Sequence, residues 1–403
     1  MRIFRSFLCA AVNSPISFNF RQPMEASTRA SYCLLAAAPS RTSLGAQKYR
    51  PSPHLSSSSL KGSSWLLGPP LIDADCNFLH ADMPPISTLL SHESTKQANI
   101  VGYLSPASTL DESDRMLETI ESLEFPSSSQ IKTTVGIHPY HASEAPSLEN
   151  LASKITSMLS DPVLKRHISA VGETGLDYSH GFPPSLVQLP VFEEQVKIAC
   201  THNVPLFVHT RLAHNDTMNI LRKAKAEHSF LPPVLIHCFT GTEAEGEEGQ
   251  GDERKKKGSS VLTHPNLSSL VAVRDYLSLG FYIGVTGFIN KNYGKEVRDI
   301  LSRRIIPLDR LCIETDAPYM GFDGCRRTFI DSDPLLSAKT GKERKKLLKQ
   351  QYPNLPSSLP LVLKGVTEAL NSSLKSGEKA YSEDEVATAT TSVSSKFFGF
   401  SRN

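Results

Sequence analysis

No stretch of this 403-residue chain approaches the roughly 20 consecutive apolar residues of a bilayer-spanning helix, so no helical membrane span is expected. Charge of one sign is not in excess either. The 43 Lys and Arg stand against 41 Asp and Glu, which excludes proteins that hold nucleic acid by bulk positive charge. Cysteines number seven, an odd count, and no two stand as C-x-x-C. Disulfide scaffolds and zinc ribbons are thereby removed, and a reducing compartment is indicated. A repeat of about 20–50 residues, the mark of solenoids, is missing as well. What is present is an ordinary globular composition, 39% hydrophobic and 21% charged. The length suits one large α/β barrel or two smaller domains.

Residues 1–68 differ from the rest. They hold eight basic residues and one acid, Glu25, with abundant serine that includes a run at 56–59. Basic, serine-rich and acid-poor is the composition of an organellar transit peptide, directed to a mitochondrion or plastid. The alternative is a disordered extension or a start at Met24, and with it the cytoplasm or nucleus. The remaining 35 basic and 40 acidic residues belong to 69–403, where nucleic-acid binding needs a local basic patch. A second irregular stretch, 242–260, joins a glutamate-rich, glycine-spaced half to R-K-K-K and reads as a disordered insertion.

Five β-rich apolar runs end in side chains able to bind metal or move a proton. Residues 168–178 read I-S-A-V-G-E-T-G-L-D-Y and place Glu173 between two glycines. The run 131–139 offers His138, 204–211 offers His209, 233–241 offers His237, and 310–318 offers Glu314 and Asp316. One histidine closing a strand is more often structural; the same position filled in five runs is a site.

Further strands are expected at 71–77, 98–107 and 280–287. Helical spacing recurs at 111–123, 147–159, 188–199, 266–279, 293–303 and 361–370, and Asp216 is placed to cap a helix running through 226. Ser382 and Glu385 read as a capping box opening the last helix. Eight strands alternating with helices predict a (β/α)8 TIM-type barrel, whose active site lies at the C-terminal ends of its strands. A doubly wound sheet is the alternative, and it would not bring so many strand ends to one mouth. Past the last strand, 321–352 carries Arg326, Arg327 and the basic segment 339–349. That stretch is a solvated face or, beside the mouth, a place to hold phosphates.

The segments V-G-I-H-P (135–139), V-G-E-T-G-L-D-Y (171–178), P-L-F-V-H-T-R-L-A (205–213), I-H-C-F-T-G (236–241), G-F-Y-I-G-V-T-G (280–287) and I-E-T-D-A-P-Y (313–319) occur in this order. Together they closely resemble the TatD family of metal-dependent deoxyribonucleases, within the amidohydrolase-like barrels. The resemblance runs from about residue 71 to 400 and leaves out the charged insertion. It implies that Glu173 bridges the metal site, that His209 and His237 bind metal, and that Asp316 binds metal and takes the proton from the attacking water. His138, in the H-P motif, is implied as a substrate-side or acid/base group rather than a ligand. Arg211 matches a pocket arginine suited to a phosphate oxygen, and Arg326 is a further phosphate contact to be tested.

One departure bears on the metal. Many relatives carry His-x-His after the first strand; here Asp75 and Asn77 stand in D-A-D-C-N-F, as in a branch of the family with Asn in the second place. An acid and an amide turn this position towards oxygen donors, which favours Mg²⁺ or Mn²⁺ over Zn²⁺, as one or two ions, the first weakly held. A lesser departure is Leu355 in N-L-P, where relatives often have a polar residue. The implied activity is hydrolysis of phosphodiester bonds in DNA, as a 3′–5′ exonuclease on single-stranded or damaged DNA, with RNA also open to it. Two other readings are deacylation of D-aminoacyl-tRNA on the same barrel, and non-catalytic nucleic-acid binding. Independently of the resemblance, a divalent metal supplies both the nucleophile and the positive charge that such hydrolysis needs. Nothing in the chain resembles a serine or cysteine triad.

Overall fold

The computed structural model describes residues 68–123, 130–241 and 269–400. The expected insertion at 242–260 lies outside them, as does the expected N-terminal extension but for its last residue. Eight strands follow one another round a single sheet in chain order: β1 (Leu71–Asp73), β2 (Ile100–Ser105), β3 (Gln130–Val135), β4 (Ile168–Asp177), β5 (Leu206–Arg211), β6 (Val234–Ile236), β7 (Tyr282–Val285) and β8 (Leu311–Ile313). Every neighbouring pair is parallel. The seam between β8 and β1 is stitched where the strands end. Ala74 N–H donates to Ile313 O at 3.2 Å, Asp316 N–H to Asp75 O at 2.9 Å, and Asn77 N–H to Ala317 O at 2.8 Å. The sheet is therefore a nearly closed (β/α)8 barrel, and the doubly wound alternative falls.

Between the strands run α1 (Leu110–Ser122), α2 (Leu148–Ser160), α3 (Ser185–His202), α4 (His214–His228), α5 (Ser269–Ser278) and α6 (Lys295–Ser302). Beyond β8 come α7 (Leu359–Asn371) and α8 (Glu383–Phe398). Thr109 caps α1 by accepting from Glu112 N–H, and the expected capping box opens α8. Asp216 does not cap α4: the helix starts two residues earlier, and Asp216 accepts a hydrogen bond from Tyr178 OH at 2.7 Å instead. The basic segment 339–349 forms a surface helix, Gly341–Lys349, with no buried residue.

Strands covered by helices outside and by one another's side chains inside are buried on both faces, which is why their sequences run apolar without alternation. All ten residues of β4 are buried. Within the barrel Ile72, Leu104, Ala170, Phe207, Leu235 and Cys312 pack together, and Phe397, Phe398 and Phe400 from the chain's end close its floor. Ser169, near the start of β4, donates to Phe398 O at 2.7 Å and marks this as the N-terminal end of the strands. The mouth at the opposite end is left to the strand-end residues. Replacing Phe398 by Ala empties the floor and is expected to cost about 3–5 kcal/mol of stability, measured by urea denaturation.

Candidate metal centre

Glu173 reaches the mouth through an irregularity in β4. Val171 pairs with Leu206 and Thr174 with Val208, three steps on one strand against two on the other. The extra residue is a bulge, and bulges re-aim side chains. The flanking glycines permit it. A Cβ on Gly172 (φ 154°) would stand 2.5 Å from Phe207 O, and one on Gly175 (φ 139°) 1.8 Å from His209 O.

Three imidazoles converge on one oxygen of that carboxylate. From Glu173 Oε1, His237 Nε2 lies at 2.8 Å, His138 Nε2 at 3.2 Å and His209 Nδ1 at 3.3 Å. Strand ends four, five and six and His138, three residues beyond β3, thus meet as the sequence predicts. Two groups able to hold a cation share Glu173: His138 with His209, and Asp75 with His237. A carboxylate common to two such groups is placed to bridge two ions.

The far side of each ring separates their roles. His209 Nε2 pairs with Asp177 Oδ2 at 2.9 Å, which holds a proton on that nitrogen and makes Nδ1 the atom that would take a cation beside Glu173. This is the carboxylate–histidine arrangement that orients metal ligands. His138 Nδ1 instead accepts from Tyr140 N–H at 3.1 Å. A neutral ring then carries its proton on Nε2, facing Glu173, as a donor does and a ligand does not. The geometry thus favours the acid/base reading of His138, although its position alone would admit it to a metal group.

Asn77 and Asp316 are linked to each other. Asn77 Nδ2 donates to Asp75 Oδ1 and to Asp316 Oδ1, both at 3.3 Å, and to Ala317 O at 3.2 Å. Its amide nitrogen thus tethers the two carboxylates, while its carbonyl oxygen is the atom that a cation would take. Asp316 joins the cluster through Asn77 and belongs to neither cation-holding group.

The electrostatics follow from burial. Burial raises Glu173, but His237, His138 and His209 more than reverse this and hold it well below the ordinary carboxylate range. Burial, with Asp316 close by, raises Asp75 well above its usual value, and it pushes Asp316 up to about 6 against the pull of His237. His237 is held well above the usual imidazole value: burial lowers it, yet Glu173 and Asp75 outweigh that. A proton on His237 thus balances charge that a cation balances when bound. His237 Nδ1 and Asp75 Oδ2 lie 3.0 Å apart, both buried and neither in an aligned hydrogen bond. Such unsatisfied donors, among carboxylates and imidazoles, fit a divalent cation.

Several supporting residues escaped the sequence reading. Asp73, fully buried, accepts from Thr315 N–H at 2.8 Å and Thr315 Oγ1 at 2.7 Å, clamping the residue before Asp316 to the end of β1. Glu314, which the sequence did offer at a strand end, is also fully buried; it accepts from Cys238 N–H, and burial raises it to about 8. Two glutamines of α3 hold strand-end backbone at both its donor and its acceptor. Gln195 pairs with Ile137 (2.8 and 3.0 Å) and Gln188 with Asp177 (2.8 and 2.6 Å). A signal existed, since both lie on the apolar stripe of a helix, where a polar residue needs a buried partner.

The two arginines part ways. Arg211 closes β5 half-buried and forms no ion pair among the described residues, two positions beyond His209. Arg326 donates to Gln350 Oε1 at 3.3 Å and lies over the Phe329 ring at 5.7 Å. It braces the excursion after β8, and among the described residues no contact ties it to the metal cup.

Residues 72–399 match the family described as TatD related DNase. The chain belongs to that family. It is a metal-dependent hydrolase acting on phosphodiester bonds, and the His, Asp and Glu cluster at its mouth is of the kind that holds a divalent cation. Similar proteins include the 3′-5′ ssDNA/RNA exonuclease TatD of Cronobacter turicensis, 30% identical over 226 residues, 56% of this chain and 70% of the relative. The protein of the same name from Edwardsiella piscicida is 31% identical over 226 residues, 56% and 71% of the two chains. Among solved structures, a TatD homologue from Escherichia coli K12 aligns with a TM-score of 0.57 at 22% identity, covering 82% of this chain and 98% of its own. A TatD family hydrolase from Entamoeba histolytica aligns at 0.56 and 18%, covering 82% and 99%. These structural likenesses bear on the fold alone. Among the described residues no helix is long and apolar enough to cross a membrane.

Replacing Asp177 by Asn leaves His209 Nε2 facing a neutral partner. Metal affinity, measured by calorimetric titration of metal-free protein, is expected to fall about 10–100-fold.

Proposed function

We propose that this TatD-family chain degrades single-stranded nucleic acid, DNA foremost, as a 3′–5′ exonuclease that works with Mg²⁺ or Mn²⁺. The observation that carries the reading is one carboxylate, Glu173, shared by two cation-holding groups at the barrel mouth. The names of the relatives, which act from the 3′ end on single-stranded DNA and RNA, support the polarity and the substrate.

Glu173, His209, His237 and Asp75 would hold the cation, and their mixed oxygen and nitrogen donors suit Mg²⁺ or Mn²⁺. When bound, the metal acidifies the attacking water and offsets charge on the phosphoryl oxygens. The chain's own groups do the rest. Asp316, tethered by Asn77 beside the cup, accepts the proton of the incoming water; burial raises its pKa and makes it a better base than an exposed aspartate. His138 presents Nε2–H and gives that proton to the departing oxygen, with Tyr140 N–H holding the ring in register. Arg211, half-buried and in no ion pair among the described residues, receives a non-bridging phosphate oxygen. Burial of Asp75, Glu173 and His237 keeps bulk water from competing for the same donors.

A 5′-labelled single-stranded oligonucleotide with Mg²⁺ tests the reading. Wild type is expected to give a ladder shortened from the 3′ end, and Glu173→Gln to give none. His138→Ala is expected to lower kcat by roughly 100-fold or more, the scale of a lost general acid. Full activity with Zn²⁺ alone would remove the metal preference. An intact oligonucleotide beside released amino acid from D-aminoacyl-tRNA would replace the nuclease reading with the deacylase one.

A further inference from the structure

Exposed aromatic rings are spread unevenly over this molecule. Five are exposed among the described residues: Tyr140, Phe230, Tyr293, Tyr319 and Tyr352. Phe230 lies on the approach to β6, at the floor end. The other four lie on segments that leave the C-terminal ends of strands, around the mouth. An aromatic ring gains much by burial, so the fold gives no reason to leave rings in water at one end of the barrel only.

Tyr293 packs against Phe288 at 5.2 Å; the other three rings fall in two groups that abut the metal cup. On one side, His138 lies 6.2 Å from the Phe182 ring, and Tyr140 packs edge-on against Phe182 at 5.4 Å. Tyr140 is 54% exposed even so. On the other side, Tyr319 N–H donates to Asp316 O at 2.7 Å, which fixes this residue to the strand end that carries the proposed base. Its ring meets His80 edge-on at 5.2 Å and lies 6.3 Å from Tyr352. Tyr352 is anchored in turn by its hydroxyl, which donates to Asp82 Oδ2 at 2.6 Å. Tyr319 and Tyr352 stay 46% and 45% exposed. The first group comes from the loops after β3 and β4, the second from those after β1 and β8, so they stand on separate sectors of the mouth with Glu173 and its histidines between them. Each group is fixed by its own packing, so its rings are presented at little further cost in conformational freedom.

We infer that the two groups are base-stacking subsites, which take unpaired bases on either side of the phosphate being cut. The inference rests on the nuclease reading above and adds what selects the strand. Every base has a flat face, so stacking on tyrosine or phenylalanine holds bases without reading their sequence. In a duplex the same faces are buried against neighbouring bases and cannot reach a protein ring. Preference for a single strand then comes from Tyr140, Phe182, Tyr319 and Tyr352, while Arg211 and the metal take the phosphate.

A comparison of two substrates of equal length and charge provides the test: an oligothymidylate and the same chain made of abasic deoxyribose phosphates. Wild type is expected to show a KM roughly 10-fold higher on the abasic chain, the scale of one lost base–aromatic stack. Tyr319→Leu and Phe182→Leu should bring that ratio towards one. Tyr319→Phe, which keeps the ring, should retain the wild-type ratio, as should Phe230→Leu at the floor end. Equal KM for both substrates in wild type, or an unchanged ratio in the leucine variants, would overturn the subsites and leave the nuclease reading standing. Failure of wild type to cut either substrate would overturn both.

Discussion

Everything at the mouth depends on holding ionisable carboxylates where water is scarce. Asp73, Asp75, Glu173, Glu314 and Asp316 are all buried, and burial works against the charge on each. Only Glu173 is driven well below the ordinary carboxylate range, because three imidazoles surround it. The others stay raised, so without a cation their charge is relieved by protons, the same charge that a divalent cation would balance.

Keeping such a cup in shape falls to groups that never touch substrate. Phe398 on the floor lies 6.3 Å from Phe207, and Phe207 stacks on His237 at 4.8 Å, so a column of rings joins the end of the chain to a proposed ligand. Asp177 sets the tautomer of His209. Gln188 and Gln195 grip backbone next to Asp177 and His138 from outside the barrel, and Asp73 grips Thr315 across the seam. These contacts come from α3 and from the two ends of the sheet. The site is therefore built on strands and braced by a helix, and the substrate-facing rings are carried by loops.

Three histidines near one oxygen do not play one part. His209 has the Asp177 carboxylate behind it, His237 shares a cation-holding group with Asp75, and His138 has a backbone N–H behind it. The first leaves Nδ1 to face a cation, and the last leaves a proton on Nε2. A single hydrogen bond on the remote nitrogen thus decides between ligand and acid at almost equal distances from Glu173.

The alternation of strand and helix, the chemistry at strand ends and the resemblance to TatD nucleases were legible in the residues themselves, because apolar periodicity and glycine-flanked acids are local signals. The barrel, the convergence of Glu173, His209 and His237, and the capping box of α8 are as the sequence implied. The remaining decisions lay between residues distant in the chain. Asn77 acts as a tether because Asp316, 239 positions away, accepts its hydrogen bond, and Arg326, in the basic stretch beside the mouth, donates to Gln350. The role of Asp216, the bulge that aims Glu173 and the glutamines of α3 likewise depend on which backbone passes nearby. Composition and spacing determine which side chains reach the mouth; only packing decides what stands behind each of them, and hydrogen-bond partners a few ångströms away set the charge and the proton.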